Sequence, residues 1–194
     1  MDKKLYQLKP IYTAFKAGTV FTAFDTETTG LRPAEDRIIE IGAVRFNRDG
    51  ELGEFSTLVY PGMLIPRFCT ELTGITTAMV YGQPTFSDIA ESFLSFAEGS
   101  TLVAHNCNFD VSFVNTELSR AGMPLLKAPL IPGADTVKFS RAAFPDLGCW
   151  KLQFLASHFG IPPGNAHRAT DDARVCKEIF LKCLNAFEEA MSAL

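Results

Sequence analysis

Four carboxylates and one imidazole stand out by where they fall. Asp25 and Glu27 lie in Val20 to Glu27, a short run rich in aromatic and β-preferring residues and stopped by Thr29-Gly30, which predicts a strand running into a turn. Side chains alternate along a strand, so both acids share a face with Phe21 and Ala23, roughly 6 to 7 Å apart. Asp110 precedes Phe113, Val114 and Leu118 by helical intervals, which places a charge on the apolar stripe of a helix. In the closing helix the i+4, i+7 and i+11 neighbours of Asp172 are Cys176, Ile179 and Cys183, whereas those of Asp171 are Val175, Glu178 and Lys182. Asp172 therefore faces inward, and Asp171 faces solvent.

An ionised carboxylate removed from water costs several kcal/mol unless compensated, and clustered acids also repel one another. The sequence offers no buried run of Arg or Lys near these positions. Hard divalent cations such as Mg²⁺ or Mn²⁺ take oxygen ligands and retain waters that a substrate phosphate can replace. His167 lies shortly before Asp172, at the junction of a loop with the last helix, and an imidazole with an ordinary pKa of about 6.5 suits a base that deprotonates metal-bound water. Each residue alone also has a plain structural reading: a turn former for Asp25, a solvated acid for Glu27, a helix-dipole partner for Asp110, a loop histidine for His167. The joint pattern favours chemistry.

The elements that must position these residues follow from periodicity. Val20 to Glu27, Ile38 to Asn47 and Glu54 to Tyr60 read as three strands in a meander, with a turn at Arg48-Asp49-Gly50. A helix follows Pro84, carrying Phe86, Ile89, Phe93 and Phe96 and ending at Gly99; Thr101 to Ala104 reads as a buried strand leading into a helix over Asn108 to Ala121. A last strand is expected over Leu130 to Val137, a helix over Trp150 to Phe159, and a long closing helix over Ala169 to Met191. This order predicts an α/β fold, a mixed sheet flanked by helices.

With 194 residues, 47% hydrophobic and 21% charged, the chain can bury a sizeable core, which excludes disordered and fibrous classes. We expect an N-terminal extension over residues 1–18 and a single domain over 19–194. Eighteen Lys plus Arg against 22 Asp plus Glu give a formal charge of −4, so the chain lacks the field of a protein that coats nucleic acid. A locally basic rim, or cations bound in an acidic cleft, would still admit a polyanion. The five cysteines form no CxxC pair, which predicts free thiols in a reducing compartment. Met1 to Gly18 has no continuous apolar stretch, and no window reaches the roughly 18 apolar residues of a membrane span. A cytoplasmic protein without membrane contact is expected.

Phe24-Asp25-Thr26-Glu27-Thr28-Thr29-Gly30-Leu31, His105-Asn106-Cys107-Asn108-Phe109-Asp110 and His167-Arg168-Ala169-Thr170-Asp171-Asp172-Ala173 resemble, in order, the three motifs of the DEDDh (DnaQ-like) 3′→5′ exonucleases, a family that includes proofreading epsilon subunits of bacterial DNA polymerase III. The resemblance implies a ribonuclease H-like mixed five-stranded sheet flanked by helices. It implies an acidic quartet of Asp25, Glu27, Asp110 and Asp172 holding two divalent ions, Mg²⁺ or Mn²⁺, with His167 as the base. In-line attack by water at the 3′ end of single-stranded DNA would then release nucleoside 5′-monophosphates. Leu72-Thr73-Gly74-Ile75 resembles the family's loop against the terminal nucleotide, with Thr73 where epsilon subunits carry histidine. Thr28, Thr73 and Asn106 are the implied substrate contacts, and a DNA polymerase subunit is an implied partner. Asp135-Thr136 matches a frequent dipeptide of the family with a structural role.

Two rival readings stay open: an RNA-trimming 3′→5′ exoribonuclease, since no residue identifies itself as a reader of the 2′-OH, and a non-catalytic nucleic-acid-binding or polymerase accessory module. Phe68, Phe109 and Phe139 are candidates for base stacking in a chain with 17 Phe, where core packing is the ordinary role.

Overall fold

The computed structural model describes residues 5–127, 133–162 and 164–193. Five strands form one sheet in the order β3-β2-β1-β4-β5, comprising β1 (Phe21–Thr28), β2 (Ile38–Asn47), β3 (Gly50–Leu58), β4 (Thr101–Ala104) and β5 (Ala134–Asp135). The β1–β2 and β2–β3 pairs are antiparallel and the β1–β4 and β4–β5 pairs parallel, so the sheet is mixed, as the element order predicts.

Alternation along β1 and β2 sorts the core into two layers. Phe24 and Ala43, register partners, face α4 (Phe86–Ala97) and α5 (Cys107–Arg120), where Phe86, Phe93, Phe113 and Leu118 are almost wholly buried. Phe21, Ala23 and Phe46 face the opposite layer, where Cys176, Phe180 and Leu184 of α8 (Ala169–Ser192) meet them. That layer also contains α6 (Thr136–Ala143) and α7 (Leu152–Phe159), whose Ala142, Leu155 and Ala156 pack with Val175, Ile179 and Phe187 of α8. A 3₁₀ turn, Leu5–Leu8, leads into α1 (Lys9–Lys16); Leu8 is fully buried in the same cluster, and the ring of Tyr12 packs at a tilt against Phe187 with centroids 5.1 Å apart. Two short helices, α2 (Arg67–Thr73) and α3 (Thr77–Val80), follow β3.

The strand expected over Leu130 to Val137 is corrected. Residues 128–132 lie outside the described residues, β5 covers Ala134–Asp135, and Thr136 and Val137 belong to α6. The side chain of Asp135 accepts from the backbone N–H groups of Val137 and Lys138 at 3.0 and 3.3 Å, an N-cap that turns the chain from strand to helix at this point. Among the described residues no helix is long and apolar enough to cross a membrane.

Candidate active site

The face of β1 that carries Phe21 and Ala23 continues outward to Asp25 and Glu27, beyond the point where the aromatic packing under α8 ends. Asp25 is half-buried and Glu27 is 8% exposed. Both line a cleft of about 440 Å³ with Thr26, His105, Lys151, Leu152, Gln153, His167 and Asp172.

Asp110 reaches the same strand from the other layer. β4 stops at Ala104 and pairs with β1 from Phe21 to Ala23, so among the described residues the strand edge at Thr26 lacks a strand partner on that side. Asp110, in the first turn of α5 and 2% exposed, takes that place: one oxygen accepts from Thr26 N at 3.0 Å and from Thr26 Oγ1 at 2.7 Å. It sits behind the cleft rather than among its lining residues.

The third group arrives on the N-terminus of α8, and two β2 residues let it come close. Gly42 is the register partner of Asp25, and a Cβ placed on it would fall 2.2 Å from Thr170 N and 2.4 Å from Ala169 C. The absent side chain lets the helix backbone lie directly on the sheet. Glu40, the register partner of Glu27 and only 2% exposed, accepts from Arg168 Nη2 at 2.6 Å and from Ala169 N at 2.9 Å. A strand carboxylate thus satisfies the first N–H of α8, where Arg168 supplies no side-chain cap. The preceding residue, His167, is held at φ 63°, in the left-handed region. Its backbone N–H donates to Asp172 Oδ2 at 3.1 Å, while Gln153 Nε2 donates to Asp172 Oδ1 at 2.8 Å. Asp172 is 5% exposed; Asp171 faces outward, accepting from Asn165 N at 2.8 Å and lying 3.5 Å from Arg174.

The acids resist ionisation together. Burial, followed by repulsion from Asp110, Glu27, Asp172 and Glu40, raises Asp25 well above the usual carboxylate range. Burial and the charges of Asp172, Glu40 and Asp110 push Glu27 up to about 8, against a smaller lowering by Arg168. Asp110 is pushed up to about 7 by burial, with the Thr26 hydrogen bonds opposing, and burial raises Asp172. One donor atom each from Glu27, His167 and Asp172 lie within 4.8 Å of one another. Two carboxylate oxygens and an imidazole nitrogen, backed by further acids, fit hard divalent cations, whose charge would favour the ionised forms.

The implied substrate contacts are not among the residues that line the cleft. Thr28 Oγ1 donates to Gly30 O at 2.6 Å. Thr73, 6% exposed, donates to Cys69 O at 2.9 Å and accepts from Ile75 N at 3.0 Å. Asn106 is exposed at the start of α5 with φ 70° and faces a neighbouring groove. Of the three candidate stacking rings, Phe68 is 60% exposed, whereas Phe109 packs on Phe113 at 4.9 Å and Phe139 on Phe180 at 6.3 Å. Glu40, Gly42, Gln153 and Lys151 escaped the sequence reading. An acid between Ile39 and Ile41 and a glycine inside a strand were the signals available for the first two.

Residues 22–180 match the exonuclease family RNase_T. The chain is 49% identical over 162 residues to a DNA polymerase III subunit epsilon of Treponema pallidum, covering 82% of this chain and 74% of that protein. It is 45% identical over 172 residues to a DNA polymerase III PolC-type of Clostridium perfringens, covering 88% of this chain but only 12% of that one. Among solved structures, exonuclease X in complex with 5′ overhanging duplex DNA superposes with a TM-score of 0.65 at 27% identity, over 85% of this chain and 91% of that one. A zinc-bound E. coli exonuclease I–ssDNA complex superposes at 0.72 and 21% identity over 86% of this chain and 40% of that one, a likeness of fold.

Proposed function

The chain belongs to the RNase_T exonuclease family, as a DnaQ-type 3′→5′ exonuclease, and on that premise we propose that it removes nucleoside 5′-monophosphates one at a time from the 3′ end of single-stranded DNA. The observation that carries this reading is the convergence of Asp25, Glu27, His167 and Asp172 on one cleft, with Asp110 bonded behind it.

Members of the family depend on divalent metal, and Mg²⁺ or Mn²⁺ is the proposed ion, two per site. When bound, such ions neutralise the scissile phosphate and lower the pKa of the attacking water. Glu27 and Asp172 would hold the ions with Asp25 and Asp110. His167, on a loop held to the sheet through the Arg168–Glu40 pair, would accept the water's proton; Asp172 fixes that loop through its bond to the His167 N–H. Lys151, at the cleft wall, would meet the phosphate of the strand. The similarity to polymerase III subunits supports proofreading in the cytoplasm beside a polymerase partner.

The test compares wild type with Asp25→Ala on 3′- and 5′-labelled single strands of DNA and RNA, with Mn²⁺ and with chelator. Metal-dependent release of mononucleotides from the DNA 3′ end, lost in the variant, is the expected result. Faster trimming of RNA would move the assignment to an exoribonuclease, and no degradation by folded protein would move it to a binding module.

A further inference from the structure

Beside the acid cleft runs a groove of about 770 Å³ that shares His105, Lys151 and Leu152 with it, so the two adjoin along these residues. Its character is opposite. Among the described residues, Lys138, Arg141 and Lys151 line it against a single carboxylate, Asp135, in a chain whose formal charge is −4. That carboxylate is largely spent: its side chain is 9% exposed, it caps α6, and it lies 3.7 Å from a Lys138 that is 67% exposed. Among the described residues neither Arg141 nor Lys151 has a carboxylate partner within ion-pair distance. Arg141 is placed instead by an aromatic ring, its guanidinium 5.3 Å from the centroid of Trp150, while Trp150 Nε1 donates to Phe144 O at 3.1 Å. A guanidinium positioned by a ring keeps its N–H donors for an outside acceptor.

We propose that this groove is the track for the strand 5′ of the bond being cut, with Lys138, Arg141 and Lys151 meeting successive backbone phosphates and the Trp150–Arg141 pair offering a platform for a base. The inference rests on the exonuclease reading, because it takes the acid cleft as the place of cleavage. A polynucleotide fits better than an acidic peptide: it alone presents regularly spaced charge, planar bases, and a continuation into a cleft built for a phosphodiester. Lys138 and Arg141 line only the groove, so they govern the strand upstream and not the bond itself.

The experiment uses Lys138→Gln/Arg141→Gln, with Lys9→Gln/Lys182→Gln, which line neither depression, as the charge-matched control. Binding of a fluorescent cleavage-resistant phosphorothioate (dT)20 is followed by anisotropy at several salt concentrations. Single-strand counterion release predicts a salt slope shallower by about 0.7 per lost phosphate contact, about 1.4 in all. Referred to 1 M salt, that weakens binding about eightfold per contact at 50 mM and about fourfold at 150 mM. Cleavage is measured on (dT)20 and on the p-nitrophenyl ester of thymidine 5′-monophosphate, which has no upstream strand. The groove variant should raise KM for the long strand and leave hydrolysis of the ester unchanged. An unchanged salt slope, an equal loss in the control variant, or equal slowing of ester and strand would overturn the proposal. If wild type cuts neither substrate, the exonuclease reading fails, while the binding arm still decides the groove.

Discussion

Gly42→Ala should damage the site without touching any of its acids. The new Cβ would fall 2.2 Å from Thr170 N and 2.4 Å from Ala169 C, where non-bonded contacts are ordinarily about 3.5 Å, so the first turn of α8 must retreat by about 1.3 Å. The neighbour is backbone, so no side-chain rotation relieves the clash. Asp172 and His167 travel with that turn while Asp25 and Glu27 stay on β1, which spreads the donor atoms now within 4.8 Å. Misplacement by about 1 Å costs on the order of 10²-fold in rate, and overpacking costs about 1–3 kcal/mol of stability. In a chain of this size that is a loss of roughly 2–12 °C in Tm. The assay is kcat/KM on single-stranded DNA with Mn²⁺, alongside thermal melting. Gly53→Ala serves as the control, since its Cβ would meet only Phe96 Cε2 at an ordinary 3.5 Å. If Gly42→Ala keeps more than a third of wild-type activity and melts like Gly53→Ala, the close approach of helix to sheet does not position the site.

Three further outcomes can be measured. The carboxyls of Asp25, Glu27, Asp110 and Asp172 are raised in the fold, so the metal-free folded state binds more protons than the unfolded one; their contribution is present below the ordinary carboxylate range and lost as pH rises through about 7 for Asp110 and about 8 for Glu27. The stabilisation by Mn²⁺, about 2.7 kcal/mol at a hundredfold excess over Kd and read as a rise in Tm, should accordingly grow between pH 5.5 and pH 8 at a fixed Mn²⁺ concentration, and a rise independent of pH would refute the linkage. Asp172→Asn should lower activity by roughly 10³-fold while Asp171→Asn, whose amide oxygen can still accept from Asn165 N, largely spares it; equal losses would undo the assignment of inner and outer faces. Glu117, 2% exposed and gripped by Arg37 at 2.6 and 3.0 Å and by Arg120 at 3.1 Å, ties the β1–β2 loop to α5. Because both arginines are 30% exposed, Glu117→Ala should cost the lower end of the about 3–5 kcal/mol of a broken buried pair, read by urea unfolding; less than 1 kcal/mol would show that solvent replaces the clasp.

What could be read without coordinates was whatever is governed by local periodicity. The two-residue repeat of β1 places Asp25 and Glu27 on the face that meets α8, and the helical repeat separates buried Asp172 from outward Asp171. What escaped depends on partners far away along the chain. Glu40 and Arg168 stand 128 residues apart, and nothing near either announces the other. Thr136 and Val137 have strand-like side chains, yet the cap from Asp135 draws them into α6. The helix over Lys9–Lys16 was hidden because Lys9 and Lys16 flank a short apolar stripe whose purpose, covering α8, appears only once α8 is in place.

Among the described residues, the only two non-glycine positions with positive φ are Asn106 and His167, one in each of the last two motifs. A left-handed backbone costs a side-chain-bearing residue roughly 1–2 kcal/mol, with asparagine penalised least and glycine not at all. A library selected for thermal resistance alone would therefore drift toward glycine at 167 and, more weakly, at 106. The winners would be more robust proteins that had discarded their imidazole, so a stabilisation campaign on this scaffold must select for turnover in the same round.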